Sequence, residues 1–275
     1  MTTTTLVLGA TGKTGRHVVS GLRAAGHRVR PASRSGEVRF DWTDESTWDA
    51  AVTGADAVYL VFPDDDVTGA RPFIRFAVEH GVRRLVALSG RGIEEYGMPE
   101  LLDVEHAVRE SGVDWTILRP SWFNQNFDLG QFRDYVLAGD LRVPTGDGRE
   151  PFIDAADIAA VAVAALTDPR HAGQTYELTG PRSLSFGDAA AEIARASGRK
   201  VKFTDVTDDE FLTEQEAAGV SESWAKLLAM VFGRVRRGEH EPVSVDVAAV
   251  LGRAPMDFAD YATAAWGRGA NWQEA

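Results

Sequence analysis

Cysteine is absent from the 275 residues, which excludes disulfides, thiolate metal sites and thiol nucleophiles. The six histidines, at 17, 27, 80, 106, 171 and 240, show no H-E-x-x-H or other ligand spacing, so no metal is expected. Long apolar runs are missing too. No window approaches the roughly 20 apolar residues of a membrane span, and the N-terminal stretch has neither the basic flank nor the apolar length of a signal segment. The expectation is a soluble, cytoplasmic protein with no membrane partner. Positive charge is scarce: 29 Lys and Arg stand against 41 Asp and Glu, a formal net charge of -12. Nonspecific nucleic-acid affinity comes from clustered Lys and Arg, so no nucleic-acid partner is expected. What remains, 44% hydrophobic and 25% charged, is ordinary globular usage, and the length suits one large domain or a large and a small one.

The most informative stretch is Leu6-Val-Leu-Gly-Ala-Thr-Gly-Lys-Thr-Gly15, an apolar run that ends in glycines and passes at once into a helical pattern of His17, Val18, Val19 and Leu22. This is a strand, a tight turn and a helix. Gly9, Gly12 and Gly15 form the G-x-x-G-x-x-G variant of the dinucleotide fingerprint, in which missing side chains let the backbone approach a pyrophosphate at the helix N-terminus. Thr11, Lys13 and Thr14 lie between them and complete the candidate loop. Gly12-Lys13-Thr14 also matches the end of a Walker A loop, but that motif requires glycine where Val7 stands, inside the strand. A purely structural glycine turn is the plain alternative.

Gly26 to Arg34 reads as a second strand, with Gly26 capping the helix before it. NAD enzymes carry an acid at this strand end for the ribose hydroxyl; here Ser33, Arg34 and Ser35 stand instead, a combination suited to a 2'-phosphate. Arg34 could equally be a solvated loop arginine, and nearby Glu37 keeps NAD(H) as the alternative to NADP(H). Val38 to Trp42 is a third short strand, whose Asp41 either reaches the adenine edge or begins the next turn. Ser46 to Val52 is a short helix, and Ala57 to Phe62 a continuous apolar strand that places Phe62 and Pro63 at the cofactor cleft. Asp64 to Asp66 read as a helix-capping loop rather than a cation site. A helix to about His80 precedes the strand Arg84 to Ser89. Ser89 sits at a carboxyl strand end, where ligands of open α/β sheets bind, and is a candidate for both cofactor contact and catalysis, with Tyr96 in the following loop as a second candidate donor. Pro99 opens a helix through Glu110 with Leu101, Leu102, Val104, Ala107 and Val108 inward. Glu105 and His106 on it read as surface or packing residues. The strand Trp115 to Pro120 then delivers Pro120 to the cleft and Trp122, Phe123 and Asn124 to a pocket wall.

Strands alternating with crossover helices specify an α/β fold built on a doubly wound parallel sheet. A helix around Asp128 to Ala138, a turn at Thr145 to Gly148, an Ala-rich helix opened by Phe152 to Ile158 and a strand at Thr175 to Leu178 still belong to it. The expected boundary divides a nucleotide-binding domain, residues 1–180, from a smaller, mostly helical substrate domain, residues 181–275. The latter is marked by capping-box pairs Ser185/Asp188 and Thr207/Glu210 and one strand near Val201 to Thr204. Its helix with Trp224, Leu227, Leu228, Met230, Val231 and Phe232 is either a pocket wall, with Trp224 as a substrate contact, or plain core.

The residues Gly-Ala-Thr-Gly-Lys-Thr-Gly15, Asp56-Ala-Val-Tyr-Leu60, Leu118-Arg-Pro-Ser-Trp-Phe-Asn-Gln-Asn-Phe127, Pro151-Phe-Ile-Asp-Ala-Ala-Asp157 and Tyr176-Glu-Leu-Thr-Gly-Pro181 resemble the NmrA-like atypical short-chain dehydrogenases. Within them the chain is similar to bacterial relatives of the ergot-alkaloid reductases (agroclavine and festuclavine dehydrogenase) and, more loosely, to NADPH:quinone oxidoreductases. The similarity covers residues 5 to 200. It implies a Rossmann domain completed by residues after 150, NADP(H) on the glycine loop, a small-molecule substrate and a cleft closed by C-terminal helices. It fixes neither the substrate nor the oligomeric state. One departure bears on mechanism: the residues four after Tyr59, Tyr96, Tyr135, Tyr176 and Tyr261 are Pro63, Glu100, Gly139, Gly180 and Ala265, so the Tyr-x-x-x-Lys proton donor of the main family is missing. Either hydride goes to an electrophile that needs no such acid (iminium, quinone or enone), or another group donates, or the protein senses the dinucleotide without turnover, as the regulator that names the family does.

Overall fold

A computed structural model describes residues 3–63 and 67–267; the acidic loop Asp64 to Asp66, expected to cap a helix, lies outside the described residues. In chain order, β1 (Thr4–Leu8), α1 (Gly15–Ala24), β2 (Arg28–Ser33), β3 (Val38–Arg39), α2 (Trp48–Val52), β4 (Ala57–Val61), α3 (Ala70–Glu79), β5 (Arg84–Leu88), α4 (Pro99–Arg109) and β6 (Asp114–Pro120) come first. Next are α5 (Arg133–Ala138), β7 (Asp140–Val143), β8 (Arg149–Glu150), α6 (Ala155–Thr167), β9 (Gln174–Leu178), β10 (Leu184–Ser185), α7 (Phe186–Ser197) and β11 (Lys202–Asp205). The helices α8 (Asp208–Ala217), α9 (Glu222–Arg236), α10 (Asp246–Leu251) and α11 (Phe258–Trp266) complete the described chain.

These elements form two compact units. The first takes the chain up to Pro120, then Ala155–Leu178 and Asp246–Arg253; the second takes Ser121–Asp154, Thr179–Val245 and the residues from Ala254. The sequence places one boundary at 180, whereas the chain passes between units at several points. Local patterns hide this, because what returns α10 to the first unit is long-range: the Asp246 carboxylate accepts the Glu177 N–H at 2.8 Å, and Arg253 pairs with Asp157 of α6 at 2.7 Å.

The first unit is a seven-stranded parallel sheet in the order β3-β2-β1-β4-β5-β6-β9. Its central strands are apolar throughout because both faces are covered. On one face Leu6, Leu8, Val58, Leu60, Leu85 and Ala87 pack with Trp48, Phe73, Ile74 and Val108 of α2, α3 and α4. The alternate residues Val7, Tyr59 and Val86, also fully buried, belong to the opposite face, which α1 and α6 cover. Gly21 permits that helix pair to close, since a Cβ there would stand 3.0 Å from Val163. Helix α1 ends as expected at Gly26, with φ +80: Gly26 N–H bonds Arg23 O and His27 N–H bonds Leu22 O, each at 3.0 Å, the paired closure of a left-handed cap.

The second unit packs α5, α7, α8, α9 and α11 around aromatic rings. Phe132, Phe152 and Phe232 all meet Phe186 edge-on, at 86°, 87° and 86°, the arrangement ring quadrupoles favour. Two small sheets join it, β7 beside β11 in parallel and β8 beside β10 antiparallel. Both expected capping boxes form, at Ser185/Asp188 and Thr207/Glu210. Helix α5 begins only at Arg133, later than the expected start near Asp128, because Gly130 interrupts the helical pattern.

Candidate active site

Parallel neighbours bring their carboxyl ends to one edge of the sheet, and strand order reverses direction between β1 and β4, which is where such sheets leave a crevice. The glycine loop follows β1, Ser33 ends β2 with Arg34 just after it, Phe62 and Pro63 follow β4, Ser89 follows β5 and Pro120 ends β6. The expected cofactor residues of the first unit are thus brought to one edge.

The glycine loop has the shape a dinucleotide requires. Gly9 has φ +61, and its carbonyl takes the Gly12 N–H at 2.8 Å. A Cβ on Gly15 would stand 2.2 Å from the Gly9 oxygen, so only glycine lets α1 start this close to the strand. Thr11 and Gly12 are exposed; at the start of α1 His17 and Val18 N–H both bond Thr14 O at 3.0 Å and Arg16 N–H reaches Gly12 O at 3.4 Å, and the positive end of the helix dipole faces the loop. This cradle fits a pyrophosphate. Thr14 departs from expectation: it is 3% exposed, and its hydroxyl accepts a hydrogen bond from Tyr59 at 3.0 Å. Burial pushes the Tyr59 phenol well above its usual range, only partly opposed by that bond, so it remains the donor. The Thr14 side chain therefore braces the loop from inside. A tyrosine in a buried apolar strand needs such a partner, and that was the signal for this bond in the sequence.

At the end of β2 the Ser33 hydroxyl is buried without a hydrogen-bond partner among the described residues. Gly36 leaves it room, since a Cβ there would lie 2.6 Å from that oxygen. Arg34 is exposed and makes no ion pair among the described residues. An orphaned hydroxyl beside an exposed guanidinium suits a phosphate monoester. Of the two readings of Asp41, the structure favours the turn: Thr43 N–H and hydroxyl donate to Oδ1 at 3.0 and 2.9 Å, and these bonds, with the charges of Arg39 and Arg34, hold the carboxyl below its usual range. Phe62 is half-buried against Trp42, with centroids 5.2 Å apart.

Ser89 is the main correction. Its hydroxyl donates to Glu105 Oε1 at 2.7 Å, and Glu105, expected as a surface or packing residue, is 1% exposed. Arg119 Nε reaches the same oxygen at 2.9 Å, while Arg119 Nη2 and Arg109 Nη2 reach Oε2 at 2.7 and 2.8 Å. Burial alone would raise the Glu105 carboxyl, but the bonds from Arg119 and Ser89 and the two arginine charges outweigh it and hold it below the usual range. An ionised carboxylate only accepts, and a hydroxyl has one proton. Ser89 is therefore committed as a donor to Glu105, and toward a ligand it is an acceptor. Leu101 and Leu102 are only half-buried; the inward face of α4 is shifted to include Glu105. Burial also raises Glu177 at the end of β9, against the opposing charges of Arg91 and Arg119. Tyr96 is half-buried and folds back over Gly92, whose Cβ would stand 2.7 Å from the phenol oxygen. His106 is exposed, as expected.

The expected substrate contacts belong to the second unit. Trp122 is half-buried and stacks on Phe132 at 5.4 Å and 10°. Phe123 is half-buried and bridges Ile153. Asn124 is fully buried, yet neither its carbonyl oxygen nor its amide nitrogen has a partner among the described residues. Unsatisfied buried amides are costly unless something else pairs with them. Trp224 packs half-buried against the aromatic core; of its helix, Leu228, Val231 and Phe232 are core and Met230 is 41% exposed.

Residues 9–169 match the family described as NAD(P)H-binding, and the chain belongs to that family, as an NAD(P)H-dependent oxidoreductase. Particular relatives span nearly all of it. YesF, an uncharacterized oxidoreductase of Bacillus subtilis, is 34% identical over 270 residues, 94% of each chain. The agroclavine dehydrogenase of Claviceps fusiformis is 33% identical over 276 residues, covering 94% of this chain and 96% of its own. An NADPH-dependent quinone oxidoreductase of Escherichia coli, solved with NADPH, shares the fold with a TM-score of 0.82 at 21% identity, covering 95% of this chain and 99% of that one. Among the described residues no helix is long and apolar enough to cross a membrane.

Proposed function

We propose that the protein is an NADPH-dependent reductase acting on a small electrophile that needs no proton from the enzyme: an iminium ion, a quinone or an activated enone. The observation that carries this reading is the Ser89 hydroxyl, whose proton is held by the buried Glu105 carboxylate. When bound, NADPH supplies the hydride. The glycine loop and the start of α1 would hold the pyrophosphate, and Ser33 with Arg34 the 2'-phosphate. One charge-assisted hydrogen bond of this kind is worth about 1.5–3 kcal/mol, a preference over NADH of about ten- to hundredfold. Ser89 would accept an N–H or O–H from the bound molecules and orient them. Trp122 and Phe123 offer flat apolar surface to a conjugated substrate, and Asn124 one donor and one acceptor.

Reduction of an ordinary ketone develops an alkoxide, for which a positioned acid is worth about 10²- to 10⁴-fold in rate. An iminium ion becomes a neutral amine on receiving hydride, and that demand disappears. The quinone oxidoreductase, by its name, acts on one member of this class. NADPH oxidation measured across iminium, quinone, enone and ketone panels tests the reading, with Tyr96→Phe alongside wild type. Turnover of the first three groups, reduced less than about tenfold by Tyr96→Phe, is expected. Loss of activity in Tyr96→Phe would reinstate an acid mechanism, and tight NADPH binding with no turnover would make the protein a dinucleotide sensor.

A further inference from the structure

Glu150 and His240 form a buried pair that the proposed chemistry leaves unused. Glu150, on β8, is fully buried, and His240, just past the end of α9, is 7% exposed. Nδ1 of His240 lies 2.6 Å from Glu150 Oε2, so one proton lies between them. The other oxygen, Oε1, accepts the Trp122 backbone N–H at 3.4 Å. One carboxylate thus joins two segments far apart in sequence. Nearby charges are engaged elsewhere, Glu239 by Arg234 and Arg237 and Arg149 by Asp188.

The segment so held carries the expected substrate contacts. Ser121 Oγ donates to Pro151 O at 2.6 Å, Ile153 N–H to Trp122 O at 2.9 Å and Asn124 N–H to Ile153 O at 2.8 Å. These bonds fix the stretch along one side, and the Glu150 carboxylate holds it at Trp122. Phe232 of α9, the helix that leads to His240, lies 5.2 Å from the Trp122 ring. We propose that Glu150 and His240 are positioning residues that fix Trp122 and thereby the direction in which the buried Asn124 carboxamide is presented, setting substrate affinity rather than the rate of hydride transfer. This rests on the reading that Trp122 to Asn124 meet the substrate.

The test exploits acceptor count. A carboxylate has an oxygen for each donor, whereas the carboxamide of Glu150→Gln has only one, so that keeping Trp122 N–H forces its amide to donate to His240 in the other ring tautomer. Glu150→Gln is expected to raise substrate KM about tenfold, with kcat and NADPH affinity within about twofold of wild type. His240→Asn, which keeps an N–H donor at the Nδ1 position, is expected to retain wild-type KM, and His240→Leu to behave as Glu150→Gln. Hydrogen exchange of the 121–126 amides, which needs no turnover, is expected to quicken in Glu150→Gln and His240→Leu but not in His240→Asn. An unchanged KM in Glu150→Gln, a fall confined to kcat, or equal behaviour of His240→Asn and His240→Leu would overturn the proposal. If wild type turns over no electrophile, the functional reading fails, while the exchange pattern still decides whether the pair holds the segment.

Discussion

Gly15→Ala probes the pyrophosphate cradle by adding a single methyl group. The new Cβ would stand 2.2 Å from the Gly9 oxygen, 2.8 Å from the Gly9 carbonyl carbon and 3.0 Å from Ala10 Cα. A carbon–oxygen contact is ordinarily about 3.3 Å, so loop and helix must separate by about 1 Å. All three obstructing atoms are backbone. The loop is also tied down, by Gly12 N–H to Gly9 O at 2.8 Å and by Ala10 N–H to Ala32 O of β2 at 3.1 Å, so no flexible side chain can absorb the shift. Overpacking of this kind costs about 1–3 kcal/mol in stability. Displacing binding groups by about 1 Å costs about a hundredfold in a function that depends on them. Gly26→Ala is the control: with φ +80 and nothing within 4 Å of its Cβ, it introduces left-handed strain of about 1–2 kcal/mol and no clash. Thermal melts should show both variants destabilised, while NADPH fluorescence titration should show only Gly15→Ala weakened, by about a hundredfold. A Gly15→Ala protein that binds NADPH within about threefold of wild type would refute the assignment of the cofactor to this loop.

Arg34→Ala should remove most of the about ten- to hundredfold preference for NADPH by weakening NADPH and leaving NADH unchanged, as read by parallel titrations; equal weakening of both cofactors would place Arg34 elsewhere than at the 2'-phosphate. Glu105→Gln should cost about 1.5–3 kcal/mol at neutral pH, because it takes the buried carboxylate away from Arg119 and Arg109, although Arg119 keeps Glu94 at 2.7 Å. The folded-state pKa of Glu105 is lowered, so the unfolded chain takes up its proton first as pH falls. The stability it contributes is full above the ordinary carboxyl value of 4.5 and is lost as pH falls through the lower folded value. Denaturant titrations across the acid range should therefore show a shallower loss in Glu105→Gln than in wild type.

The parallel sheet was legible because strands covered on both faces must be apolar throughout, as Leu6 to Leu8, Val58 to Leu60 and Leu85 to Ala87 are, and because residues such as Gly26 and Pro99 mark helix ends. Ser185 with Asp188 and Thr207 with Glu210 announced α7 and α8 by local rules, and both capping boxes form. The second unit was less legible. Its core joins Phe127 and Phe132, then Phe152, then Phe186, Phe232 and Phe258, and no local pattern ties those stretches together. Of the surface and packing readings of Glu105 the structure takes the second, for the same long-range reason. A lone glutamate on an amphipathic helix reads as solvated; besides Arg109 one turn on, its burial rests on Ser89, from the preceding strand end, and Arg119, from the following strand.

Residue type at the site was easier to read than the direction of its hydrogen bonds, and that direction decides the chemistry. Serine at a carboxyl strand end is a donor or an acceptor according to what lies behind it. With a neutral partner behind it, Ser89 could turn its proton toward a developing alkoxide; with the ionised Glu105 behind it, the proton points away and only lone pairs face outward. Thr14 differs: its hydroxyl accepts from Tyr59 and keeps its own proton, but at 3% exposure it packs inside the loop. Two hydroxyls that a motif reading offers as ligand contacts are thus engaged by groups from neighbouring elements, one by a carboxylate and one by a phenol. A sheet edge so arranged can bind an anion and orient a hydrogen-bond donor, but it supplies no proton from Ser89, so the proposed substrates are those whose charge the hydride neutralises, as in an iminium ion, or whose product anion is delocalised, as from a quinone or an activated enone.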